Sequence, residues 1–294
     1  MLESLQSSDR RVAAIAFRLA SAGQAVCPRT SSIVGMTLHE PAQYAPALRN
    51  AARKVMNLAN RVGILAVAPG SPADKAGLRP GDGLVAISGQ AVAPTAPGRK
   101  GVYAGVSAAY AQLARSASRG DVDLVVERDE SSLRKVIRPV SGCTSQVQLL
   151  PSARIHAKAD GTHLSITTAL VDYVANDDEL ALVIAHEMAH NALGHRAQFE
   201  AQGVRRGLFG SYGANAVKVR EAERQADRFG YFLMARAGFN AGVAQTFWTR
   251  LYAGPARGDS DVTTHPDLRM RLDDAAKAQG EITTALSAKR LPTP

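Results

Sequence analysis

With 294 residues, 46% of them hydrophobic and 21% charged, the chain can build one large or two ordinary folded domains, which excludes the disordered and fibrous classes. Its net charge of +9 favours acidic surfaces, but the Lys and Arg residues are scattered without interleaved aromatics, which argues against a nucleic-acid partner. No apolar run nears the roughly 18 residues of a membrane span, and Met1 to Leu5 opens no signal-peptide core. The expectation is either a cytoplasmic chain or an exported bacterial one whose signal has been removed.

From about Asp9 to Val26, Val12, Ile15, Phe17 and Leu19 recur among alanines and predict an amphipathic helix packed on the body of the protein. Peripheral contact with anionic lipid through Arg10, Arg11 and Arg18 is the alternative. Cys27 follows. Ser31 to Leu38 reads as a strand entered through a Gly-containing turn, and Pro41 to Leu58 as a helix. Gly63 to Val67 and Leu84 to Ile87 read as strands, separated by turn residues at Pro69 to Ala73 and Gly81-Asp82. A helix near Val102 to Ser116 and strands at Val122 to Glu127 and Arg134 to Val140 complete the region.

Within it, G-I-L-A-V-A-P-G-S-P-A-D-K-A-G-L-R-P-G-D-G-L-V-A-I-S-G-Q-A-V resembles a PDZ domain of the bacterial HtrA type, from about Thr30 to Gly142. That resemblance implies an extended peptide ligand added as a strand, its carboxylate caught in a backbone loop. The loop would be Ile33-Val34-Gly35-Met36, where Gly35 lets N–H groups converge on an anion. Cys27 and Cys143 flank the region. A disulfide between them would tie the entering and leaving chains and imply an oxidising compartment; two unrelated buried thiols are the other reading.

Gln146 to Leu150 and Leu164 to Thr168 read as strands, and Ala169 to Val174 begins a helix. A strand beside the following helix is a platform for an extended substrate. That helix holds the chemistry. Asn176 as N-cap and Glu179 three residues on can close a capping box, and Leu180, Val183, Ile184 and Met188 recur at helical spacing to bury one face. His186 and His190 stand one turn apart, so both imidazoles reach one tetrahedral zinc ion, and Glu187 beside them is placed as general base. Gly194 is the expected C-terminal breaker.

A catalytic zinc needs a third protein ligand. On a continuous helix His195 would point about half a turn away, which makes it a surface residue, and the metzincin spacing fails because Leu193 and Arg196 stand where its Gly and last His belong. Arg220 to Gly230 reads as a second helix on which Glu223 can ligate zinc and Asp227 can accept from the free ring nitrogen of a ligating histidine; Glu221 is the fallback ligand. The glycines of Gly203 to Ala216 suggest either a lid or a plain connection.

H-E-M-A-H, E-R-Q-A-D with Gly230 after it, and Thr264-His265-Pro266 followed by Arg271-Leu272 resemble the gluzincin metallopeptidases that include HtpX and the CAAX prenyl endopeptidase, over about Cys143 to Leu272. The resemblance implies zinc, one ion per chain, held by His186, His190 and Glu223. It also implies His265 as the group that steadies the tetrahedral intermediate and Arg271 as a supporting residue. The membrane spans of those two relatives are missing from this chain, so the closer likeness is to soluble, PDZ-bearing members.

The expected fold is α+β: a mainly helical zincin-type domain with a small sheet over residues 143–294, an inserted α/β PDZ domain over 30–142, and an N-terminal helix over 1–29 packed on the peptidase domain. The expected function is a zinc metalloendopeptidase of protein or peptide substrates, with a PDZ peptide ligand, in the periplasm or otherwise exported. A PDZ-led binding or chaperone-like protein and a zinc amidase of cell-wall peptides are the rivals. No G-x-S-x-G elbow supports a serine hydrolase.

Overall fold

The N-terminal amphipathic stretch forms one helix, α1 (Leu2–Ala22), which stops before Gly23, where a Cβ would lie 2.3 Å from the Cys143 sulfur. The computed structural model describes residues 2–58, 60–93, 104–204, 213–254 and 267–294, without the side chains of 213 and 214. It is α+β and divides into two units, one of Met1–Phe17 with Ser31–Ser141, the other of Arg18–Thr30 with Gly142–Pro294. Helix α1 is therefore shared. In the first unit Leu2 packs with Ala52 and Met56. In the second, Arg18 Nε donates to the Ala237 carbonyl at 2.5 Å and its guanidinium lies 4.1 Å over the Phe239 ring, so Arg18 does not join Arg10 and Arg11 in a lipid-facing stripe.

The first unit continues through β1 (Thr30–Ile33), β2 (Met36–His39), a 3-10 turn at Pro41–Gln43, α2 (Pro46–Met56), β3 (Gly63–Val67), α3 (Pro72–Lys75), β4 (Gly83–Ile87), β5 (Gln90–Ala91), α4 (Ala104–Ala117), β6 (Val122–Arg128), β7 (Ser131–Ile137) and β8 (Val140–Cys143). The strand expected over Ser31 to Leu38 is two strands. Gly35 breaks it with φ +76°, so β1 pairs with β8 while β2 joins the main sheet, whose order is β2-β3-β4-β6-β7 with β5 beside β4. The β6–β7 hairpin turns on Asp129 and Glu130, both at positive φ, the geometry that matches the strand twist in a two-residue turn. Alternation in β6 buries Val122, Leu124 and Val126 against Leu38, Ile64, Leu84, Val106 and Leu113.

The second unit runs β9 (Gln146–Leu150), β10 (Ala157–Ala159), β11 (His163–Thr167), α5 (Thr168–Tyr173), α6 (Asp177–Leu193), α7 (His195–Ala201), α8 (Gly213–Arg236), α9 (Ala244–Ala253) and α10 (Leu268–Ser287). The sheet order is β10-β11-β9, with β10 antiparallel and β9 parallel to β11. β10 carries no strand signal in the sequence, because Ala157-Lys158-Ala159 has no β-branched or aromatic residue. Asn191 at the end of α6 ties helix to sheet: its Nδ2 donates to the Ser145 Oγ and the His163 carbonyl, both at 3.1 Å, and its Oδ1 accepts from Gly161 N at 2.7 Å. Among the described residues no helix is long and apolar enough to cross a membrane.

Cys27 and Cys143 form a disulfide with a Cα–Cα distance of 5.5 Å and a sequence separation of 116 residues. In the chain-entropy account a loop near this length gives about 4–5 kcal/mol. The Cys27→Ser, Cys143→Ser double variant is expected to melt about 5–15 °C lower in calorimetry.

On α1, Asp9 is half-buried and has no hydrogen-bond partner among the described residues. Burial lifts its carboxyl to about 7. A carboxyl raised on folding favours the protonated fold, so its contribution is complete below the unfolded value near pH 4 and is lost as pH rises through about 7. Asp9→Asn is therefore expected to match the wild type in urea unfolding at pH 4 and to exceed it at pH 8.

Candidate metal centre

Helix α6 begins where the capping residues put it. Asn176 is extended, its Oδ1 accepts from Glu179 N at 3.0 Å, and Glu179 Oε2 accepts from Ala175 N at 2.8 Å. The buried Glu179 carboxylate is also paired with Arg250 on α9, which crosses the Tyr173 ring at 5.0 Å. The apolar spacing predicts one buried face; the helix is instead buried nearly all round, including Leu180, Val183, Ile184, Ala185 and Met188, because α8 and the sheet pack on different sides of it. Gly194, at φ +71° and ψ 28°, ends it in the left-handed conformation.

Helix α8 lies close against α6 at Gly230. A Cβ there would meet His186 N at 3.2 Å and the Ala185 carbonyl carbon at 3.3 Å, tighter than an ordinary contact, so the glycine eases the close approach of the two helices. Glu223 and Asp227 stand two turns and one turn before it on the same face.

The result is a buried cluster of His186, His190 and Glu223, the one group of three or more candidate ligands among the described residues. The Nε2 atoms of His186 and His190 are 3.2 Å apart, and Glu223 oxygens lie 3.3 Å from His186 Nε2 and 3.5 Å from His190 Nε2. Tetrahedral bonds of about 2.0–2.1 Å place ligand atoms roughly 3.3–3.4 Å from one another, so the donor set and its spacing fit a zinc ion.

Asp227 orients the first histidine. Its Oδ1 accepts from His186 Nδ1 at 2.8 Å, and Arg271 on α10 grips both its oxygens at 2.6 and 2.8 Å. Arg271 lies 3.4 Å over the ring of Trp248, whose Nε1 donates to the Tyr231 hydroxyl at 3.0 Å. Burial opposes charge on Asp227, but Arg271 and His186 outweigh it and hold the carboxyl at about 2. Burial likewise opposes charge on His186, and Asp227 and Glu223 overcome it to push the ring up to about 10.

Glu187, half-buried beside His186, has no hydrogen bond or ion pair among the described residues, which leaves its carboxylate available to a reactant. His265 lies outside the described residues, as does most of the Gly203 to Ala216 segment. Glu221, the fallback ligand, turns instead to Gln225 and Arg224 on its own helix. His195 corrects the sequence reading: it is fully buried, and its Nδ1 is 2.9 Å from His190 Nδ1. The half-turn expectation assumed one continuous helix, but the chain turns at Gly194 and starts α7, so His195 swings back under the centre. Burial, first of all, pushes it down to about 4. A histidine directly after the capping glycine was the only sequence signal.

In the first unit, Ile33 ends β1, Met36 starts β2, and Val34-Gly35 joins them. The Val34 carbonyl accepts from Ala73 N and the Gly35 carbonyl from Ala68 N, both at 2.9 Å. A Cβ at Gly35 would lie 2.3 Å from the Ser71 Cβ. β2 is an edge strand, and its Leu38 N–H donates to the Tyr110 hydroxyl of α4 at 2.9 Å.

Residues 63–128 match the family model for a PDZ domain, and residues 147–219 and 208–279 match that for peptidase family M48. A Vibrio cholerae protein described as a beta-barrel assembly-enhancing protease is 27% identical over 146 residues, which are 39% of this chain and 30% of that protein. The chain thus spans under a third of that relative's length in the match. The crystal structure of an HtrA3 PDZ domain bound to a phage-derived ligand covers 38% of this chain and 88% of its own at 18% identity, with a TM-score of 0.27.

Removing the partner of a ligating ring costs about 10–100-fold in metal affinity. Asp227→Ala is expected to weaken zinc binding by that factor in a chelator competition, whereas Asp123→Ala, whose ion pair with Arg134 is largely exposed, is expected to leave it unchanged.

Proposed function

We propose that this chain, segments of which match peptidase family M48 and a PDZ domain, is a zinc-dependent metalloendopeptidase of protein substrates. The observation that carries the reading is the His186, His190 and Glu223 cluster at tetrahedral spacing, with the carboxylate of Glu187, which has no partner among the described residues, next to it on the same helix. When bound, zinc supplies Lewis acidity that polarises a scissile carbonyl and brings the pKa of water toward neutrality. Glu187 accepts the proton of the attacking water and passes it to the leaving amine. His265, by its family resemblance, donates to the developing oxyanion. Asp227, charge-balanced by Arg271, holds the His186 ring in the tautomer with a free Nε2.

β10 is a sheet edge packed beside α6 and offers main-chain groups to an extended substrate. The PDZ unit binds a peptide at Ile33-Val34-Gly35-Met36 and along β2, and for the strand to form there the Tyr110 hydroxyl has to give up Leu38 N–H. It serves substrate recruitment or regulation. The Cys27–Cys143 disulfide supports an oxidising, periplasmic setting, and the relative described as a beta-barrel assembly-enhancing protease points the same way.

Glu187→Gln is expected to keep one zinc per chain while casein cleavage falls by about 10²–10⁴-fold, and a chelator is expected to abolish wild-type cleavage. Cleavage by the Gln variant at the wild-type rate would remove the general-base assignment. Peptide binding without any cleavage by the wild type would favour the PDZ-led alternative.

A further inference from the structure

The two histidines of the cluster are held by different chemistry. His186 rests on a carboxylate, Asp227, whereas His190 rests on another imidazole: its Nδ1 lies 2.9 Å from the Nδ1 of the fully buried His195. Two ring nitrogens this close require one N–H donor and one lone pair. The direction can be read from the far end of the chain of contacts. Glu221 can only accept, and it takes the Gln225 side-chain N–H at 3.2 Å, which turns Gln225 Oε1 toward His195 Nε2 at 3.3 Å. His195 therefore carries its proton on Nε2 and presents a lone pair at Nδ1. His190 must then carry its proton on Nδ1, and its Nε2 lone pair faces His186 Nε2 and Glu223.

We propose that His195 is a positioning residue for the metal centre: it accepts the His190 Nδ1–H and so fixes the tautomer and plane in which His190 Nε2 meets the ion, with Gln225 and Glu221 setting the tautomer of His195 in turn. The inference rests on the zinc site proposed above. Its effect is on charge as well as orientation. A neutral acceptor holds His190 without adding a second anion beside the one that already supports His186, so less of the ion's positive charge is offset. The Phe199 ring lies tilted beside that of His195, 6.4 Å between centroids, and the His190 and His195 rings meet edge on at 4.9 Å, so His195 is packed from both sides.

The test uses the full chain and zinc itself. Chelator competition on the wild type comes first; failure to bind one ion per chain would overturn the zinc site and not the hydrogen-bond chain. With binding established, His195→Leu, which leaves the His190 N–H buried and unpaired, is expected to weaken zinc about 10–100-fold. Its kcat at saturating zinc should fall with KM little changed. His195→Asn, whose Oδ1 can take the place of the ring Nδ1, is expected to restore affinity to within about threefold of wild type. In long-range proton–nitrogen NMR of the zinc-loaded wild type, His190 is expected to carry its proton on Nδ1 and His195 on Nε2. Wild-type zinc affinity in His195→Leu, failure of His195→Asn to recover it, or a proton on His195 Nδ1 would each overturn the proposal. The NMR readout decides the matter even if the Leu variant does not fold.

Discussion

Everything in the second unit depends on bringing two imidazoles and a carboxylate to within about 3.5 Å of one another in a buried place, where like dipoles and an unbalanced anion are costly. Gly230 eases that approach, because a Cβ there would press on the backbone of Ala185 and His186 at 3.2–3.4 Å. Charge makes it tolerable. Asp227 is neutralised by the two-pronged contact with Arg271, Arg271 is spread over the face of Trp248, and Trp248 is anchored on Tyr231 back on α8. The loop of contacts closes on the helix where it started, so α8, α9 and α10 constrain one another through the site as much as through their apolar cores.

The same economy appears at the start of α6. Asn176 caps the helix, and the Glu179 carboxylate that holds Ala175 N just before the cap is also the partner of Arg250, so the first turn of the helix is bound to α9. At the other end Gly194 both stops α6 and redirects the chain, which turns His195 inward. Helix boundaries here are part of the site's geometry. A helix two residues longer would carry His195 past His190 and leave the latter's Nδ1–H without its acceptor.

The PDZ unit shows a comparable restraint in its own core and edge. Arg128 binds the buried Asp82 and the Gly77 carbonyl, which locks the loop before β4, and Glu40 accepts from Val106 N at the start of α4. With α4 so placed, Tyr110 reaches Leu38 N–H on the outer side of β2. An edge strand with a satisfied N–H is protected from casual pairing, and peptide recognition there is an exchange of one hydrogen bond for several.

Much of this was legible in the chain because the relevant signals are local. His186, Glu187 and His190 share one helix turn, Asn176 and Glu179 mark its start, Gly194 marks its end, and the alternation of β6 declares its buried face; each depends on a repeat of 3.6 or 2 residues that any reader of the sequence can apply. Glu223 and Asp227 were legible as a pair one turn apart, since Glu221 points elsewhere only once α8 is seated. Tertiary structure alone decided what crosses between segments: the break of the first strand at Gly35, the all-round burial of α6, the weak strand β10 recruited by β11, and the inward turn of His195. These depend on which surfaces meet, and a meeting of surfaces distant in the chain leaves no period in the sequence to read.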